Sequence, residues 1–144
     1  MEIRIKRAGP ECVEGVAVLF DAYRVFYQQP SNLATSRAFI SERMAQGESV
    51  IFYAQDQAGN VLGFTQLYPT FSSVTAQRTW LLNDLYTVEA ARGKGVGKQL
   101  LEAAREFAVA SGAAGILLET GRGNEGLGYV RDEGYYTYYL GVQR

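Results

Sequence analysis

From Glu2 to Arg7, apolar and charged residues alternate with the period of a half-buried strand. Gly9-Pro10-Glu11 then reads as a helix start, with proline in the first turn. Val13, Val16, Ala17, Phe20, Tyr23, Arg24 and Tyr27 follow at spacings of three and four, which predicts a first helix ending before Pro30. Asn32 or Thr35 would cap a second helix, carrying Phe39, Ile40 and Met44 and stopping at Gly47. The period then changes. Ser49 to Gln55 reads as a strand, Asp56-Gln57-Ala58-Gly59-Asn60 as a hairpin turn, and Val61 to Thr70 as the returning strand. Beyond a polar loop starting at Phe71-Ser72-Ser73, a further strand from Thr79 to Thr87 is built around Trp80-Leu81-Leu82. A glycine-rich turn leads into a helix whose Val96, Leu100, Leu101, Ala104, Phe107 and Ala108 form one stripe, ended by Gly112. Ala114 to Thr120 reads as a buried strand, and Tyr135 to Val142 as a last, tyrosine-rich one. There is no repeat, linker or low-complexity run. The order predicts a mixed α/β or α+β fold in a single domain, residues 1–144.

Composition narrows the chemistry more than the fold. The chain has 144 residues, long enough for a sizeable core, and a formal net charge of -1. That balance gives no global field for nucleic acid or an anionic membrane, so neither is expected as a partner. No histidine is present, which excludes triads with a histidine base and histidine–metal sites. Cys12 is the single cysteine; its helical spacing among apolar residues suits a core position, and it cannot form an intrachain disulfide. The longest apolar stretches, such as Val50 to Ala54, are too short to span a bilayer, and the N-terminus lacks a signal-peptide core. The cytoplasm is the expected location, and no metal is expected.

Arg92-Gly93-Lys94-Gly95-Val96-Gly97-Lys98 lies between a strand and a helix. Glycines there let backbone N–H groups approach a ligand, and the helix N-terminus adds partial positive charge, which suits a phosphate or pyrophosphate. A tight turn needing glycine only for its left-handed conformation is the plainer reading. Three alternating glycines flanked by Arg92, Lys94 and Lys98 favour phosphate. The P-loop pattern fails, since Arg92 stands where its first glycine belongs and Gln99 follows Lys98. The dinucleotide fingerprint fails at Lys98.

The run from Leu85 to Leu101 resembles the acetyl-CoA motif of the GNAT superfamily of N-acetyltransferases, L-x-V-x-x-x-x-[RQ]-x-x-G-x-[GA]-x-x-L-L. The likeness extends through Leu117-Leu118-Glu119-Thr120 and Asn124, and more weakly to Gly63-Phe64-Thr65. Leu82-Asn83-Asp84-Leu85-Tyr86 is similar to the diamine and small histone acetyltransferases of that superfamily. The resemblance implies a mixed central sheet flanked by helices, with a splayed strand pair at the cofactor cleft and acetyl-CoA as co-substrate. Leu85 and Thr87, on either side of Tyr86, would offer backbone groups to the pantetheine arm. Arg92, Gly93, Lys94, Gly95, Val96 and Gly97 would wrap the pyrophosphate, with Lys98 beside them. Asn124 would contact the cofactor near the thioester. Thr87 replaces the usual valine, a mild departure for backbone contacts.

A second departure is larger. After the asparagine the family continues x-x-A-x-x-L-Y-E-x-x-G-[FY], and its tyrosine usually protonates the leaving thiolate. Here Asn124 is followed at once by Glu125-Gly126-Leu127-Gly128-Tyr129, which matches only the tail. Either the segment is deleted, or a stretch of the molecule is missing from this sequence. Clean continuation on both flanks favours the second.

Direct acyl transfer needs a neutral amine, and deprotonating a lysine-like amine at pH 7 costs about 4.6 kcal/mol. Without histidine the base is a carboxylate, water or a backbone carbonyl. Asp84 and Glu119 are the candidate carboxylates, each also readable as a surface or ion-paired acid. Tyr23, Phe26 and Tyr27 close the first helix where the resemblance puts the acceptor entrance, and aromatic faces suit a cationic amine. Core packing explains the same spacing. Tyr135, Tyr136, Tyr138 and Tyr139 would alternate between the core and a cleft or homodimer surface. The expected activity is acetyl transfer from acetyl-CoA to a primary amine, on a small polyamine-like molecule or a lysine side chain. A non-catalytic acyl-CoA-binding or regulatory module is the rival.

Overall fold

The computed structural model describes residues 2–119, 129–132 and 137–142. Five strands form one sheet in the order β1-β2-β3-β4-β5: β1 (Ile3–Arg7), β2 (Val50–Asp56), β3 (Val61–Ser72), β4 (Gln77–Thr87) and β5 (Ile116–Leu118). The first four pair antiparallel, and β5 joins β4 in parallel. The sheet is therefore mixed, as expected. Asp56 holds the β2–β3 turn by accepting from the N–H groups of Ala58 at 3.0 Å and Asn60 at 2.9 Å.

Helices cover both faces. On one face α1 (Val13–Phe26), entered through a 3-10 turn at Pro10–Cys12, packs with α2 (Leu33–Ala45). Val16, Leu19, Phe20 and Ile40 bury against Ile51, Tyr53 and Phe64 of the sheet. On the other face α3 (Val96–Ala110) lays its stripe of Leu101, Ala104 and Ala108 on Leu67, Trp80 and Leu82. Each face of the alternating strands thus meets its own apolar layer.

Two local devices hold the α1–α2 corner. Asn32 caps α2, its side chain accepting from the Thr35 N–H at 3.1 Å. Asp21, buried on α1, accepts from the Ser31 hydroxyl at 2.6 Å, the Asn32 N–H at 2.9 Å and the Ser36 hydroxyl at 2.8 Å. Those three donors hold its carboxyl below the usual range. The corner fixes where the C-terminal end of α1, with Tyr23 and Tyr27, meets the sheet.

Two sequence expectations are corrected. The strand foreseen from Ala114 to Thr120 runs over Ile116–Leu118 among the described residues, with Thr120 outside them, and Leu117 is exposed. The segment foreseen as a strand from Tyr135 to Val142 is not a strand over its described part, 137–142, where Tyr138, Tyr139 and Leu140 are exposed. Consecutive large residues supply β propensity but no period-two face to bury, and propensity without a packing partner does not make a strand. Tyr135 and Tyr136 lie outside the described residues. No helix among the described residues is long and apolar enough to cross a membrane.

Candidate active site

The site starts from an irregularity in β4. Gln66 of β3 pairs with Asp84, but the next pair is Leu67 with Leu82, so Asn83 is an extra residue in β4. Such a bulge bends the strand and re-aims its side chains. The parallel pairing with β5 covers only Trp80, Leu81 and Leu82. Past that point β4 runs on to Thr87 with no β5 partner among the described residues. The resemblance implies an opened strand pair at this point, and residues 120–128 lie outside the described ones.

Strand alternation decides what the opened edge offers. A Cβ placed on Gly63 would come within 2.7 Å of the Tyr86 carbonyl oxygen, so that carbonyl faces β3. The Asp84 carbonyl faces the same way, accepting from the Thr65 hydroxyl at 2.8 Å. The backbone groups of Leu85 and Thr87 therefore point to the other, unpaired edge. Arg92 Nε already donates to the Thr87 carbonyl there, at 3.0 Å, while its guanidinium lies over the Phe26 and Tyr86 rings.

The glycine turn follows directly. Buried Ala91 and Val96 anchor its two ends, and residues 92–95 between them are exposed. Gly93 (φ +79°) and Gly95 (φ +83°) adopt the left-handed conformation that favours glycine. Gly97 is different: it has an ordinary helical backbone, and a Cβ there meets nothing within 4 Å. Neither conformation nor internal packing calls for glycine at 97, whereas close approach of an outside group does. The first helical bond inside this turn runs from the Gln99 N–H to the Gly95 carbonyl at 3.1 Å, which leaves the preceding N–H groups directed outward. The Arg92 N–H is engaged with the Glu89 carbonyl at 3.2 Å. Arg92, Lys94 and Lys98 have no carboxylate partner among the described residues. A cradle with outward N–H groups, unpaired cations and room for oxygen atoms fits the pyrophosphate of a CoA thioester.

Asp84 is 2% exposed, and both carboxylate oxygens are held. Asn83 Nδ2 donates to Oδ1 at 2.8 Å and Gln66 Nε2 donates to Oδ2. The Tyr23 hydroxyl lies beside it and donates to the Asn83 carbonyl at 3.3 Å. Burial pushes the Asp84 carboxyl above the usual range, against the opposing pull of these donors. Burial and the Asp84 charge raise the Tyr23 and Tyr68 hydroxyls in turn. No cation pairs with Asp84 among the described residues. Tyr27 packs edge-on to Tyr23 at 5.0 Å but is itself exposed.

The structure thus gathers Asp84, Tyr23 and Tyr86 at one end of the sheet, and places the glycine turn beyond the end of β4. Glu119 sits at the same end, one residue past Leu118, but is exposed. Asn124 lies outside the described residues. Sequence reading missed Gln66 and Asn83. Only the register across the bulge brings Gln66 to Asp84, and no spacing rule reports a bulge or that the neighbouring Asn83 side chain turns back onto the carboxylate.

Known proteins agree with this geometry. The model of the acetyltransferase (GNAT) family matches residues 16–142. An uncharacterized N-acetyltransferase, YhfO of Bacillus subtilis (strain 168), is 42% identical over 147 residues, spanning 97% of this chain and 98% of its own. Those 147 positions exceed the 144 residues of the chain, so YhfO holds positions without a counterpart here. The crystal structure of a probable acetyltransferase superposes with a TM-score of 0.90 at 35% identity, covering 98% of this chain and 99% of that one. A predicted acetyltransferase from Clostridium acetobutylicum, solved with acetyl-CoA, shares the fold at a TM-score of 0.78 and 11% identity, over 96% of each chain. The finer likeness to diamine and histone acetyltransferases finds no support in these comparisons, and relatives named as acetyltransferases favour catalysis over a purely binding module. With the family model spanning most of its length, the chain belongs to the acetyltransferase (GNAT) family, whose members use acetyl-CoA as co-substrate.

Proposed function

We propose that the protein acetylates a primary amine, on a small molecule or a lysine side chain, with Asp84 receiving the proton that the ammonium group loses. The observation that carries this reading is a buried carboxylate without a cationic partner among the described residues, placed on β4 just past its pairing with β5. Buried charges are ordinarily paired, so such a group suits an arriving cation. Bound acetyl-CoA supplies the acetyl group and leaves as the thiol. The backbone edge at Leu85 and Thr87 and the turn at residues 92–97 would hold and orient the co-substrate, with Lys94 and Lys98 facing its phosphates. Tyr23 and Tyr86 narrow the approach to Asp84, and their faces favour a cation.

Asp84 has suitable properties for the proton transfer. Its raised carboxyl lies closer to working pH than an exposed aspartate, which improves a general base. The Asn83 and Gln66 amides keep its oxygens in place. Glu119 is exposed to solvent and has no amide holding its oxygens among the described residues, which makes it the weaker candidate.

Release of CoA thiol from acetyl-CoA, followed across a panel of amines, tests the reading. At least one primary amine should support turnover, and Asp84→Asn should lower kcat about 10²–10⁴-fold with acetyl-CoA affinity little changed. Equal rates for the variant and its parent at pH 7 would remove Asp84 from the mechanism.

A further inference from the structure

Gln66 is fully buried, and only half of its amide is used. Its Nε2 donates to Asp84 Oδ2, while its Oε1, also buried, has no hydrogen-bond partner among the described residues. Buried polar atoms are paired in the great majority of cases, so an orphan acceptor in the best-packed part of the sheet calls for a reason. Packing alone supplies none, because a leucine or methionine would fill the same volume without a polar atom.

The orientation of the amide follows from its neighbours. Asn83 occupies Asp84 Oδ1, leaving Oδ2 for Gln66. Once Nε2 is committed to Oδ2, Oε1 is directed away from the carboxylate. Gln66, Tyr68, Asp84 and Tyr86 share the α1 face of the sheet by strand alternation. Tyr23 and Tyr68, whose hydroxyls both feel the Asp84 charge, are only half-buried. The orphan oxygen and the carboxylate, which has no cationic partner among the described residues, therefore belong to one cluster beside the half-buried Tyr23 and Tyr68.

We propose that Gln66 Oε1 is a second acceptor for the amine substrate and makes the site selective for primary alkylammonium ions; the inference rests on the amine-acetyltransferase reading above. A primary ammonium brings three N–H groups. One proton passes to Asp84, which frees the nitrogen lone pair for the thioester carbon. The neutral amine keeps two N–H groups, and one of them donates to Gln66 Oε1 while the lone pair stays free. A tertiary ammonium has a single N–H, gives it to Asp84 and leaves Oε1 unpaired, which is a strong means of discrimination at a buried site. Gln66 thus determines specificity.

The test uses n-butylamine and N,N-dimethylbutylamine as probes of CoA-saturated protein, with dissociation constants at pH 7 from ligand-observed NMR. The parent should prefer the primary amine about tenfold, the size of one hydrogen bond at a buried site. Gln66→Met, similar in length and volume, should reduce that preference below twofold and leave CoA affinity unchanged. Gln66→Glu keeps an acceptor at the same place and should retain the preference, which a purely structural role of the glutamine does not explain. A parent without preference overturns the proposal, as does a folded Gln66→Met that keeps it or loss of preference in both variants. Failure of the broader reading looks different: no amine would then release thiol from acetyl-CoA, whatever stands at position 66.

Discussion

In the proposed role, Asp84 would serve function at the expense of stability. In the unfolded chain its carboxyl titrates in the ordinary range near 3.9, whereas burial raises it in the fold. Between those two values the native state keeps a proton that the unfolded state has lost. Stability contributed by the protonated form is therefore fully present below the ordinary value and is lost as pH rises through the folded one. Asparagine at 84 carries no charge, and the Gln66 amide can turn so that its orphan Oε1 accepts from the new Nδ2. Asp84→Asn should thus melt about 3 °C above the parent at pH 7, with the gap closing below the ordinary carboxylate range. Melting curves of both proteins across that pH range check it, and an equal or lower melting temperature at pH 7 would contradict the account. Asp84 itself could be picked out in the sequence as a lone acid after an apolar strand core in a chain without histidine. Its partners could not. Gln66 lies 18 residues away and meets Asp84 only because Asn83 shifts the register by one.

At the scale of elements, the glycine turn and α3 would act in the proposed function as one anion-holding unit, and Gly97 is the glycine that its backbone does not require. Gly93 and Gly95 are required by their left-handed backbones, so replacing either strains the turn whether or not a ligand binds. Gly97 has no such demand, and alanine in the first turn of a helix is at least as favourable as glycine. Gly97→Ala should leave the melting temperature of the free protein unchanged or slightly higher, while its methyl group occupies space the pyrophosphate needs. For the parent, acetyl-CoA at a hundred times its dissociation constant adds about 2.7 kcal/mol of stability. The variant should show less than half of the corresponding thermal shift, and a shift equal to the parent's would mean that the phosphates bind elsewhere. This unit was legible because helix periodicity and the alternating glycines are both local patterns. The opened β4–β5 pair was legible only through the family resemblance, since where a parallel pairing stops depends on non-local contacts. The tyrosine-rich segment at 137–142 misled for a related reason: residue preference indicates a strand, but only a neighbouring edge makes one.

At the scale of the whole molecule, the proposed chemistry assigns a base and a cradle, yet the sequence passes directly from Asn124 to Glu125 where the resemblance implies a tyrosine-bearing segment. The two residues lie outside the described part, so the question is one of composition and rate. Two measurements decide the matter together. The intact protein should weigh more than 15.9 kDa, and with its best amine it should turn over on the order of 10 s⁻¹, the usual enzyme median. A tyrosine in the additional segment would then protonate the leaving thiolate, whose conjugate acid has a pKa of about 8.5. If the mass instead matches 144 residues, solvent or a neighbouring tyrosine supplies that proton, and turnover should fall about 10²–10⁴-fold below that median. A mass of 15.9 kDa combined with turnover near 10 s⁻¹ would show that the thiolate needs no tyrosine here, because burial and the cation-rich turn suffice to expel it.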